Sequence, residues 1–313
     1  MGLRGEAAIV GFVELPPERL NKASPAPFVL EQWAELSAVA LDDAGLPGDV
    51  VNGIVASHLA ESEIFVPSTI AEYLGVDARF AEHVDLGGAS AAAMVWRAAA
   101  AIELGICDAV LCALPARYIT PSSKKKPRSM VDAMFFGSSS NQFGSPQAEF
   151  EIPYGNLGQN GPYGQVAQRY AAVYGYDERA MAKLVVDTRV NANHTDGAIW
   201  KDKPLTVDDV LASPVIADPL HMLEIVMPCV GGAAFVVANH DLTFRGDFPL
   251  NTAGGQLGFG QAGLAGGMHH VCDATRQIMG RAGAAQVADC NRAFVSGNGG
   301  ILSEQTTLIL QGD

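Results

Sequence analysis

Val84-Asp85-Leu86-Gly87-Gly88-Ala89-Ser90 opens the segment that decides the fold, VDLGGASAAAMVWRAAAAIELG over residues 84–105. A short extended stretch runs into the glycine pair. An alanine-rich helix then continues to Leu104, and Gly105 stops it. Alanine loses no side-chain entropy in a helix and adds almost no bulk, so this helix is predicted to be central and packed closely on all sides. Ala109–Leu114 follows as an apolar strand.

The same alternation extends outward in both directions. Ala7–Val13 is an apolar, β-favouring run. Ser24-Pro25-Ala26-Pro27 opens a helix whose apolar face is Trp33, Leu36, Ala40 and Leu41, with Gly45 as its stop. Gly53–Ser57 is predicted as a strand and Pro67–Leu74 as a helix ended by Gly75. Strands alternating with helices indicate an α/β fold with a layered sheet. From Tyr118 to Gly164 the pattern gives way to Ser, Gly, Asn, Pro and aromatics. That length suits a lid or binding loop. Two helices are predicted at Gly164–Tyr174 and Asp177–Asn193, then a short one from Thr206 and an apolar strand over Gly231–Ala238. Asn251–Gly267 is glycine-rich and leads into a helix from Met268 to about Met279. Val295–Gly300 is predicted as a turn and Gln305–Leu310 as a strand. Glycine turn, small-residue helix and apolar strand thus occur twice, which agrees with a fold of two related halves.

Composition narrows the function. Apolar residues make up 49% and charged residues 17% of the 313, enough for a large core and unlike a disordered chain. The net charge of −14 repels a phosphate polymer, so no nucleic-acid partner is expected. Lys124, Lys125, Lys126 and Arg128 form the one dense basic run, a solvated loop or a local anion site. The five cysteines are odd in number and lack metal-ligand spacing. They fit thiols in a reducing, cytoplasmic setting, and no metal or redox cofactor is expected. No signal-peptide layout or membrane-spanning run is seen.

Residues 84–105, 161–174, 204–219, 231–238, 251–268 and 295–300 together resemble the thiolase superfamily. Within it the resemblance is to the thiolase-like lipid-transfer branch that includes steroid side-chain retro-aldolases. It implies a five-layered α-β-α-β-α fold and a homodimer. It also implies a pocket where two glycine turns meet two helix N-termini, and a coenzyme A thioester as substrate. Residues 1–117 and 165–239 would form the N-terminal half, 118–164 a lid, and 240–313 the remainder of the C-terminal half. A thiolase places a nucleophilic cysteine, an activating histidine and a second cysteine where this chain has Gly88, Gln261 and the Ser296–Gly299 turn. None of these groups is a nucleophile or titrates near neutral pH. After Asn239 the chain reaches Asn251 directly, whereas relatives interpose further strands and helices, so an incomplete C-terminal half is expected.

The candidate catalytic residues are therefore Gln261 and Asn298 as amide donors, Ser90 as a weak nucleophile and Tyr163 as an acid or lid contact. Ser90 equally suits a bond to the backbone early in its helix, and Gln261 a turn. His269 and His270 lie early in a helix and are candidates by chemistry alone. Gly88, Gly297, Gly299 and Lys125 are the candidate coenzyme A contacts. Three readings stay open: C–C cleavage of a 3-hydroxy- or 3-oxoacyl-CoA, a non-catalytic acyl-CoA-binding subunit, and a divergent 3-ketoacyl-CoA thiolase. In the resembling aldolases a small zinc-ribbon and OB-fold partner completes the enzyme.

Overall fold

The computed structural model describes residues 7–19, 28–59, 62, 64–116, 144–156, 158–239, 260, 266–287, 289–299 and 304–312. Its elements run β1 (Ala7–Arg19), α1 (Val29–Ala44), β2 (Gly53–Ala56), α2 (Val66–Leu74), β3 (Phe80–His83), α3 (Ser90–Glu103) and β4 (Ala109–Ala116). Then come α4 (Asn160–Tyr174), α5 (Glu178–Asn193), α6 (Val207–Ala212), β5 (Val215–Ala217), β6 (Leu220–His221) and β7 (Cys229–Asn239). The last are α7 (Gly266–Ile278), β8 (Arg292–Gly299) and β9 (Glu304–Gln311).

Strand alternation divides the core into two faces. In β4, Val110, Cys112 and Leu114 join one cluster, while Leu111 and Ala113 join another. In β7, Phe235 and Val237 face the first cluster, and Ala234 and Val236 the second. Both strands are central in a five-stranded sheet of order β1-β7-β4-β2-β3. β2 pairs in parallel with β3 and β4, and β7 runs antiparallel to β4 and β1. Trp33 and Leu36 of α1 and Ile70 of α2 cover one face of this sheet. Met94 of α3 and Met268 and Val271 of α7 cover the other. The β8–β9 pair lies beyond α3 and α7 and packs on both. The described residues therefore form four layers, α-β-α-β, of the five that the resemblance implies, with α3 and α7 between the two sheets.

Local signals explain most boundaries. Gly45 and Gly75 end α1 and α2 in the left-handed conformation, at φ 65° and 70°, where a side chain would be strained. The Asp177 carboxylate caps α5 through Arg179 N and Ala180 N. Thr206 and Asp209 form a capping box on α6.

Several expectations are corrected. Residues 295–299 belong to β8 and are no turn: Ser296 pairs with Thr307 and Gly297 with Thr306. The neighbouring strand supplies the pairing that Ser, Gly and Asn do not favour by themselves. α4 begins at Asn160 rather than Gly164, because Pro162 is tolerated in a first helical turn. α7 begins at Gly266, two residues before the expected start. α3 is not enclosed on every side, since Trp96 is 44% exposed and lies under the Arg97 guanidinium, which pairs with Glu82. Strand β3 had no separate signal in the sequence. The expected helix start at 24–27 and most of the expected lid lie outside the described residues.

Gly11 lets α1 cross β1 closely. A Cβ there would lie 2.3 Å from Ala40 O and 2.7 Å from the Ala44 backbone. Gly11→Ala is expected to destabilise the protein by about 1–3 kcal/mol through overpacking. Thermal unfolding with no fall in Tm would contradict this close contact.

Candidate functional site

Two helix N-termini meet at the Gly87-Gly88-Ala89 turn. Gly87 adopts φ +56° and its N–H is held by the Asp85 carboxylate at 3.1 Å. Ser90 is buried, accepts from Leu86 N at 2.9 Å and donates to Gly87 O at 2.8 Å. These two bonds close the turn at the start of α3. From the other side, a Cβ on Gly267 of α7 would stand 2.5 Å from Gly88 O. A Cβ on Gly297 of β8 would stand 2.9 Å from Ala89 Cα and 3.0 Å from Gly88 O. Glycine at 267 and 297 thus brings α7 and β8 into backbone contact with the Gly88–Ala89 turn. The first-turn N–H groups of two long helices carry partial positive charge and lack intrahelical acceptors, so they suit an oxyanion.

Of the expected site residues, Gly88, Ser90 and Gly297 come together here. The backbones of Asn298 and Gly299 follow Gly297 along β8, opposite Gln305 and Glu304. Gln261 and Lys125 lie outside the described residues. Gly260 is described: it is buried at φ +129° beside Cys229 Sγ, Ile199 and Pro17. Tyr163 is half-buried in the first turn of α4. That turn packs on the β5–β6 hairpin, where a Cβ on Gly164 would lie 3.0 Å from Ala217 O and Asp218 O.

The structure adds a charged group that sequence inspection missed. Glu14 and Phe12 share one face of β1, and His269 and Arg276 are seven residues apart on one face of α7. Glu14 Oε1 lies 2.9 Å from His269 Nδ1, and Arg276 Nη2 forms an ion pair with Glu14 Oε2 at 2.5 Å. The Glu14 and His269 side chains are 6% and 3% exposed. Burial raises the Glu14 carboxyl, and the adjacent imidazole and guanidinium more than offset it, so the group lies below its ordinary range. A cleft of about 400 Å³ lined by Glu14, Asp43, Arg276 and Arg281 opens beside this group. The available signal was one acidic residue ending an apolar strand run and an i, i+7 His/Arg pair. Neither pattern indicates a partner 255 residues away.

Burial lowers the neighbouring His270 to about 4, with His269 lowering it further and Glu14 opposing. Its folded form therefore resists protonation, while the unfolded histidine takes up a proton near 6.5. Stability from this group is complete above pH 6.5 and is lost as pH falls toward 4, at no more than about 1.4 kcal/mol per pH unit. Urea midpoints across this range should fall with acid, and His270→Gln should flatten the slope. An unchanged slope would exclude His270 as the source.

Burial also raises the thiols of Cys107, to about 11, and of Cys112, Cys272 and Cys290. These four are protonated at neutral pH and are poor nucleophiles. Among the described residues no group of His, Cys, Asp and Glu is placed to hold a metal, and no helix is long and apolar enough to cross a membrane.

Comparison with known proteins agrees with this geometry. Residues 219–312 match the Thiolase C-terminal domain-like family. The chain is 27% identical over 241 residues to 17-hydroxy-3-oxo-4-pregnene-20-carboxyl-CoA lyase of Mycobacterium tuberculosis. It is 28% identical over 243 residues to a steroid side-chain-cleaving aldolase of Thermomonospora curvata. Each match covers 76% of this chain and 58% of the relative's length. Among solved structures, the "Ltp2-ChsH2(DUF35) aldolase" superposes with a TM-score of 0.77 at 21% identity over 99% of both chains. A monomeric SCP2-thiolase-like protein from Mycobacterium smegmatis gives 0.66 at 17% identity, over 97% of this chain and 77% of that one. Residues 219–312 thus match a thiolase C-terminal-like domain, and the chain is similar in sequence to steroid side-chain aldolases and in fold to thiolase-like proteins, in agreement with the convergence of α3, α7 and β8 on one glycine turn.

Proposed function

We propose that this chain cleaves a C–C bond in a 3-hydroxyacyl-CoA by a retro-aldol reaction, within the breakdown of a steroid or similar lipid side chain. The observation that carries the reading is the pair of helix N-termini at Gly88, at a position without the cysteine that covalent thiolase chemistry requires. Retro-aldol cleavage needs no covalent intermediate. A base removes the C3 hydroxyl proton, the C2–C3 bond breaks, and a carbonyl compound leaves. The bonding pair stays as a thioester enolate, which a proton donor quenches to a shorter acyl-CoA. Backbone N–H groups at the starts of α3 and α7 would hold the enolate oxygen. Gln261 and Asn298 are proposed as further amide donors and Tyr163 as the acid or a lid contact. Ser90 remains a candidate, although both of its bonds are to local backbone. Gly88, Gly297 and Gly299 would admit the thioester to close backbone contact, with Lys125 assigned to the carrier's phosphates.

A small zinc-ribbon and OB-fold partner is part of the proposal, supported by the DUF35 component in the name of the Ltp2-ChsH2(DUF35) aldolase. A homodimer is proposed through edge strand β3, beside which Trp96 is exposed. The test is incubation of the purified chain, with and without such a partner, with 17-hydroxy-3-oxo-4-pregnene-20-carboxyl-CoA and simpler 3-hydroxyacyl-CoAs, followed by chromatography. The expected result is release of a ketone or aldehyde and a shorter acyl-CoA. Bound but intact thioesters would favour a non-catalytic acyl-CoA-binding subunit instead. Turnover of 3-oxoacyl-CoA only with free coenzyme A would favour a divergent thiolase.

A further inference from the structure

Three cations surround one indole. Trp200 has the Arg189 guanidinium carbon 4.6 Å, the Arg19 guanidinium carbon 4.8 Å and Lys203 Nζ 5.3 Å from its ring centroid. They come from different parts of the chain: the end of β1, the middle of α5 and the segment before α6. None of the three makes a salt bridge among the described residues. Arg189 is only 6% exposed. Its Nη1 donates to Lys203 O at 3.0 Å, and its Nε finds no hydrogen-bond partner among the described residues. The chain has 34 acidic against 20 basic residues, so a knot of three cations here is a local reversal of sign. Cation–ring attraction holds each charge against the indole. It does not remove the mutual repulsion of the three charges, and an anion does.

The knot adjoins Gly260. Arg19 is opposite Cys229 in the β1–β7 ladder. The Cys229 sulfur and the Ile199 side chain both lie against Gly260, and Ile199 immediately precedes Trp200. This end of the sheet is also where β4 finishes, with Ala116 opposite Gly231. Parallel strands present their ligands at such carboxyl ends.

We propose that Arg19, Arg189 and Lys203, gathered on Trp200, form a phosphate-binding subsite that holds the phosphorylated end of the thioester's carrier. Two guanidinium forks and one ammonium match a pyrophosphate or clustered phosphates better than a carboxylate. This assignment rests on the acyl-CoA reading and adds residues outside the Lys124–Arg128 run.

The test is calorimetric titration of the full chain with coenzyme A, 3′-dephospho-coenzyme A, pantetheine and inorganic pyrophosphate. Arg19→Gln and Lys203→Gln are the main variants, because both positions reach solvent and should fold, as circular dichroism will verify. Each change is expected to weaken coenzyme A binding about tenfold and to reduce its salt dependence, with pantetheine binding unchanged. Pyrophosphate should bind the parent and be lost from the double variant. Unchanged coenzyme A affinity in both variants overturns the subsite and leaves the acyl-CoA reading standing. Loss of affinity in Lys125→Gln alone also overturns it, by placing the phosphates elsewhere. Pyrophosphate binding without any coenzyme A binding keeps the anion site and removes the acyl-CoA reading. No binding of either ligand removes both.

Discussion

Glu14→Ala is expected to destabilise the protein by about 3 kcal/mol or more, because it leaves His269 and Arg276 beside an apolar layer without their carboxylate. The arrangement decides the magnitude. Glu14 and His269 are nearly inaccessible, whereas Arg276 keeps about a quarter of its side chain in water. Arg276 can therefore turn partly outward, which places the effect toward the lower end for broken buried pairs. Glu14→Gln keeps an acceptor for one partner and should cost less, about 1–2 kcal/mol. Urea unfolding of both variants gives the comparison. A double change, Glu14→Ala with Arg276→Met, should destabilise by less than the sum of its parts, since the two groups share one interaction. Equal midpoints for the parent and Glu14→Ala would mean that the network contributes nothing to stability. The pH dependence carries a sign. The carboxyl lies below its ordinary range, so its stabilisation is present above about pH 4.5 and is lost as pH falls through the folded value.

Gly267→Ala should have the largest effect on activity. Its Cβ would meet Gly88 O at 2.5 Å, a contact between two backbones that no rotamer relieves. The start of α7 must then withdraw from the turn that starts α3. Displacing one wall of the proposed oxyanion site by a fraction of an ångström to an ångström is expected to lower kcat/KM about 100-fold. Overpacking should also cost about 1–3 kcal/mol. The opposite outcome is clear: if the helices did not touch here, alanine would stabilise α7 by up to about 1 kcal/mol, as in an exposed helix interior. A variant with full cleavage activity and a raised Tm would therefore remove this contact from the site. Gly297→Ala, whose Cβ would meet Ala89 Cα at 2.9 Å, tests the third wall in the same assay.

The alternation of apolar runs and glycine stops determined the α/β class, the central place of α3 and the position of α1, α2, β2, β4 and β7. Those elements are specified by local periodicity and by terminators whose backbone requirement is intrinsic, as at Gly45 and Gly75. Gly87–Ser90 was likewise legible as the turn at the head of a buried helix, and Ser90 as a residue able to bond its own backbone. The sequence did not reveal that 295–299 would be a strand, because Ser, Gly and Asn join a ladder only when a partner strand such as β9 stands beside them. Nor did it reveal which glycines are required. Gly267 and Gly297 look like any turn or helix-start glycines until three distant segments are pressed together. The Glu14–His269–Arg276 network and the cations around Trp200 were decided by tertiary structure alone. Each assembles charges from far along the chain, and Coulomb attraction, burial and ring stacking act on distance in space rather than separation in sequence.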